Sequence, residues 1–117
     1  MEVLIVEPAK APRMEKINGD LESLQKIVGG YIEAIYPYED PVALICNEEG
    51  KLSALPLNRQ LEDYDIIAGT FIICGLGEED FDSLPPDLAK KYQEKFAHPE
   101  VFMKVGNHIV AFPTPVI

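Results

Sequence analysis

Five polar side chains carry what chemistry this sequence could support: Asn47, Glu48, Asn58, Arg59 and Asp65. Each lies at the end of an apolar, strand-like run or in the loop just beyond one, so the set can gather on one rim of a sheet. Arg59 is one of two arginines among twenty acidic residues. Two roles are open to it. A planar guanidinium among carboxylates is a natural structural hub. Facing outward, the same fork could hold a ligand carboxylate or phosphate in bidentate fashion.

Other constellations are weaker. The sequence has no GxGxxG, P-loop, GxSxG or HExxH motif. Gly75-Leu76-Gly77 opens like a dinucleotide turn, but Glu78, Glu79 and Asp80 follow where amides should receive a pyrophosphate. Those acids together with Asp82 lack the glycine and distal glutamate of an EF-hand loop. His98 and His108, the two histidines, sit at a helix end and beside a turn, so no metal site is expected. Cys46 precedes Asn47-Glu48-Glu49, and a Cys–Glu pair across a hairpin is conceivable. Its place at the end of an apolar strand favours a core thiol, and Cys74 reads the same way. No cofactor and no catalytic residue is assigned.

The elements that must position these residues are short. Val3 to Glu7 reads as a strand and Arg13 to Ile17 as a second. Asp20 is an N-cap for a two-turn helix with Leu21, Leu24, Ile27 and Val28 on one face, ended at Gly29-Gly30. Tyr31 to Tyr36 is a strand of mixed faces. Val42 to Cys46 is apolar throughout, as a strand buried on both sides requires. Asn47 to Gly50 has turn chemistry, so Lys51 to Leu55 is expected to return as the second arm of a hairpin. A loop from Leu55 to about Tyr64 follows, then a long apolar stretch from Asp65 to Gly75, with Gly69 marking a bulge or a close backbone approach.

Pro86 to Phe96 is a second helix, with Leu84, Leu88, Tyr92 and Phe96 as its apolar stripe. Val101 to Val105 and His108 to Phe112 flank Gly106-Asn107 as a last hairpin, and Pro113 and Pro115 end its ladder. The sum is six to eight strands and two helices. Hairpin connections favour antiparallel pairing, so the class is α+β: a mostly antiparallel sheet with two helices packed on it and a C-terminal hairpin. With 117 residues, the chain (1–117) is read as a single domain.

The formal charge of −10 is the strongest compositional signal. Residues 1–60 carry six basic and ten acidic side chains, and residues 61–117 carry four and ten. That balance opposes direct nucleic-acid binding, which depends on cations displacing the counterions of phosphates, and opposes anionic membranes. No run approaches the ~20 apolar residues needed to span a bilayer. Met1 to Glu7 reads as a strand and not a leader, which gives a cytoplasmic expectation.

Several motifs resemble one family. Leu24-Gln25 and Val28-Gly29-Gly30-Tyr31-Ile32-Glu33, then Ile45 to Leu52, Leu55-Pro56-Leu57-Asn58-Arg59, and Asp65-Ile66-Ile67-x-Gly69-Thr70-Phe71 occur in one order. They are similar to the signatures of the domain-of-unknown-function 3846 (DUF3846) family, over about Val3 to Phe81. The resemblance implies a small protein of Firmicutes bacteria, phages and mobile elements. It brings no catalytic residues with it.

Three functional expectations follow. The favoured one is a non-enzymatic accessory domain of phage or mobile-element origin that binds a protein partner. The second is a small-ligand binder or undiscovered enzyme using the Asn47, Asn58, Arg59 and Asp65 rim. The third is an acidic DNA mimic that blocks a DNA-acting enzyme. The last hairpin is also placed to complete a homodimer, since an edge strand is a template for pairing.

Overall fold

Two of the apolar runs, Val42–Asn47 (β4) and Phe71–Leu76 (β7), pair antiparallel at the middle of the main sheet. The computed structural model describes residues 1–62 and 65–114. Among them the chain forms ten strands and two helices. Glu2–Val6 (β1) and Arg13–Lys16 (β2) extend the sheet beyond β7, and Ile32–Ile35 (β3) extends it beyond β4. The order is β2-β1-β7-β4-β3, with Phe81–Asp82 (β8) also pairing β7. Every strand pair is antiparallel, and the α+β expectation holds.

β1, β4 and β7 are apolar on both sides because both sheet faces are covered. Val3, Ile5, Ala43, Ile45, Ile72 and Cys74 meet the helix Leu21–Val28 (α1) through Leu24 and Val28. On the opposite face, residues such as Leu4, Leu44 and Ile73 meet Leu84 and the helix Pro86–Lys95 (α2) with its C-cap Phe96. Leu61 and Ile67 complete that second cover from the hairpin of Leu57–Leu61 (β5) and Asp65–Ala68 (β6). The α1 boundaries follow the sequence signals. Asp20 accepts from the Ser23 amide at 3.0 Å, and the Gly29 N–H bonds to the Gln25 carbonyl at 2.8 Å. In the α2 stripe, Leu84, Tyr92 and Phe96 are buried, and Leu88 packs partly buried beside them.

Three expectations are corrected. Lys51 to Leu55 is not a strand returning along β4. Both edges of β4 are taken by β3 and β7, and residues 51–54 coil through turns closed by Ser53 N–H to Glu49 O and Leu55 N–H to Gly50 O. The loop assigned from Leu55 contains β5, a strand whose alternation is hidden by a bulge between Leu57 and Arg59. The Asp65 to Gly75 run is two strands. The chain bends at Gly69 to pass from one sheet to the other; its φ of 82° suits glycine and its N–H reaches the Pro56 carbonyl at 2.7 Å. The strand count therefore exceeds the expected six to eight. Tyr64 and Pro115 lie outside the described residues.

Gly50 is buried where the turn after β4 crosses the end of β6, and a Cβ there would sit 2.7 Å from the Ala68 carbonyl oxygen. That oxygen belongs to the backbone and cannot swing away. Gly50→Ala is expected to lower the unfolding free energy by about 1–3 kcal/mol. Urea denaturation followed by circular dichroism checks this, and a midpoint equal to wild type contradicts it.

Candidate functional site

The five residues of the expected rim fall into two separate places. Asn58 and Arg59 are together in the interior, each fully buried. A regular strand would send neighbours to opposite faces, and the bulge in β5 is what lets both turn inward. The Asn58 amide donates to the Val6 carbonyl at 2.8 Å and the Gly69 carbonyl at 2.9 Å. Its Oδ1 accepts from Arg59 Nη1 at 2.8 Å.

Arg59 commits its whole fork. Nη1 also reaches the Asn58 carbonyl at 3.3 Å, Nη2 donates to Lys10 O at 2.6 Å and Phe96 O at 3.0 Å, and Nε donates to Phe96 O at 3.3 Å. A guanidinium has five N–H donors, and these five bonds use them all. The partners are carbonyl oxygens and an amide, so Arg59 is neither the carboxylate hub nor an outward clamp. Its charge lies at the C-terminal end of α2, where the helix dipole is negative. Burial still lowers its pKa from the usual arginine value, opposed by the charge of Glu100.

Asn47, Glu48 and Asp65 line a different feature, an open cavity of about 180 Å³ between the end of β4 and β6. Asn47 is spent on structure: Nδ2 donates to Val28 O at 3.2 Å and Oδ1 accepts from the Glu49 amide at 2.8 Å. Asp65 pairs with Lys51 and accepts from the Ile66 amide at 2.8 Å. Glu33 and Lys51, which sequence reasoning missed, also line this wall. Glu33 was findable only through register, since it pairs with Cys46 across β3 and β4. With Glu33, Glu48, Glu49 and Asp65 against Lys51, the cavity repels anions.

Cys46 borders the same cavity, its Sγ 3.7 Å from the Glu33 carbonyl. Burial, then the charges of Glu33 and Asp65, push its thiol up to about 11. Cys74 is pushed up to about 12, chiefly by burial. Neither is poised as a thiolate at neutral pH. Among the described residues no three His, Cys, Asp or Glu side chains converge as metal ligands.

A second cleft, of about 280 Å³, lies beside α2. There Asp40 accepts from Lys91 Nζ and from the Tyr92 hydroxyl, each at 2.6 Å. The Lys91 bond, then the Tyr92 bond, holds the Asp40 carboxyl below the usual aspartate range.

The last hairpin offers a surface of another kind. Glu100–Val105 (β9) and His108–Pro113 (β10) form a two-stranded ribbon outside the main sheet. Opposed residues share a face, so the register puts Val101 with Phe112, Met103 with Val110, and Val105 with His108 on one side. Four of these are large apolar side chains left half in water: Val101 at 51%, Met103 at 55%, Val105 at 56% and Phe112 at 48% exposed. The other side is only partly against the body: Phe102 and Ala111 are half-buried, while Ile109 is 50% exposed. Glu100 accepts from the Gln60 amide at 3.1 Å, and Ile109 closes a cleft with Leu55, Leu57 and Ile66.

The family described as "Domain of unknown function (DUF3846)" matches residues 1–97. The chain belongs to the DUF3846 family. The match runs past the Phe81 limit of the motifs and takes in α2, while the ribbon lies beyond it. No curated protein and no solved structure matches the chain.

Two outcomes test the site chemistry. Arg59→Lys keeps a charge but supplies three donors in place of five, leaving buried carbonyls unmet, and is expected to cost about 2–4 kcal/mol of stability in urea titration. A cost near zero would place the guanidinium outside the folded interior. Cys46 and Cys74 should both resist a disulfide-exchange reagent at pH 8 in native protein and both react in denaturant. Fast native labelling of Cys46 would mean an accessible thiolate.

Proposed function

We propose that this DUF3846 protein is a non-enzymatic accessory module that binds another protein chain, of the kind carried by phages and mobile elements, acting in the cytoplasm. The observation that carries this reading is the ribbon face of Val101, Met103, Val105 and Phe112, an apolar surface turned to water on a chain of formal charge −10. Contiguous apolar surface with a polar surround marks interaction sites more often than it is left bare. The saturation of Asn58 and Arg59 by interior partners supports it further, because the polar groups best suited to grip a small anion are already engaged.

The small-ligand alternative narrows to the 180 Å³ cavity at Asn47, Glu48 and Asp65, without Asn58 or Arg59. A photo-crosslinking residue placed at position 103, in full-length protein expressed in its own host, distinguishes the readings. Discrete protein adducts are expected from position 103 and none from position 22, on the exposed side of α1. Absence of adducts at 103, or equal adducts at both positions, would overturn the proposal.

A further inference from the structure

We propose that the cleft between the ribbon and the β5–β6 hairpin, with the acidic cavity next to it, binds a small amphiphilic amine. The apolar body of the guest lies in the cleft and its ammonium head in the cavity. The cleft holds about 480 Å³ and is walled by Ala54, Leu55, Leu57, Ile66 and Ile109. That size and that lining suit a small-molecule site. It adjoins the cavity of about 180 Å³ at the end of β4, since Lys51, Asp65 and Ile66 line both. Ile109 is on the side of the ribbon away from Val101, Met103 and Phe112. The site therefore goes beyond the protein-binding reading and does not depend on it.

The apolar walls are held in place yet left partly wet. Leu55 rests on Gly69, where a Cβ would stand 2.8 Å from its Cδ1, and its N–H reaches the Gly50 carbonyl at 2.9 Å. Ile66 is fixed by antiparallel pairing with Gln60. Even so, Leu55, Leu57 and Ile66 are only half-buried, and Ile109 is half exposed. Four aliphatic side chains around one hollow thus keep contact with water that an apolar guest would displace.

Charge selects the head group. Glu33, Glu48, Glu49 and Asp65 line the cavity against Lys51. Lys51 pairs with Asp65, and among the described residues Glu33, Glu48 and Glu49 have no ion-pair partner. Their field reaches the Cys46 wall, where the charges of Glu33 and Asp65 add to burial in pushing the thiol up. An anionic head would meet that field with the wrong sign, and a neutral one would forgo the attraction. Lys51 displays the bond that a guest ammonium would make, its Nζ donating to a carboxylate. A cation without an apolar body would leave the cleft wet.

Titration of the isotope-labelled full-length protein with octylammonium near neutral pH, followed by amide chemical shifts, tests the assignment. Saturable shifts are expected at Leu57, Ile66, Ile109, Glu33 and Glu48. The expected dissociation constant is on the order of 1 mM, the scale for a ligand of about nine heavy atoms. Octanoate has the same chain and the opposite charge, and butylammonium the same charge on half the chain. Each should bind at least about tenfold more weakly. The double variant Glu33→Gln with Glu48→Gln, and separately Ile109→Ser, should each weaken octylammonium by about threefold or more. Their otherwise unchanged spectra would show that both are folded. Octanoate or butylammonium binding as well as octylammonium, variants binding as wild type does, or no saturation by about 20 mM would each overturn the inference. Crosslinking from position 103 reads the other face of the ribbon, so failure here leaves the protein-binding reading standing.

Discussion

The guanidinium of Arg59 ties together parts of the chain that nothing else joins so directly. Its donors reach Lys10 in the connection after β1, Phe96 at the end of α2 and Asn58 beside it on β5. Asn58 in turn holds Val6 at the end of β1 and Gly69 between β6 and β7. A buried cation without these acceptors would be costly, and buried carbonyls without a donor likewise. Each therefore requires the other. The β5–β6 hairpin, α2 and the main sheet consequently share one polar anchor inside an otherwise apolar layer.

That anchor explains why two polar residues sit in the middle of a family motif. Leu55-Pro56-Leu57-Asn58-Arg59 looks like a loop with binding chemistry when read as a string. In the folded chain it is a bulged strand whose polar pair faces inward. Spacing alone could not distinguish the two, because a bulge destroys the period-two alternation that marks a strand. Arg59 could be singled out for its rarity, yet its direction depended on Lys10 and Phe96, far away in sequence.

Much of the rest was legible locally. The Asp20 cap, the α2 apolar stripe, the Leu24, Ile27 and Val28 part of the α1 face and the Gly106-Asn107 hairpin each arise from neighbours in sequence, and the structure has them, while Leu21 in the first turn of α1 stays exposed. The doubly buried character of Val42 to Cys46 was legible for the same reason. What failed was pairing. The turn at Asn47 to Gly50 exists, with Gly50 N–H to Asn47 O at 3.3 Å, but no strand follows it along β4. The choice between a returning strand and a coiled segment was made by β7, whose residues arrive more than twenty positions later. Of the candidate residues, Asn47, Glu48 and Asp65 do share a cavity, while Asn58 and Arg59 lie elsewhere.

The two margins of the main sheet bear on the limits of assembly. β2 presents Arg13, Glu15 and Lys16, and β3 carries Glu33. Charges of this kind discourage a foreign strand from docking edge to edge. Growth by adding sheet to sheet, the route to open-ended fibrils, is therefore unfavourable at both margins.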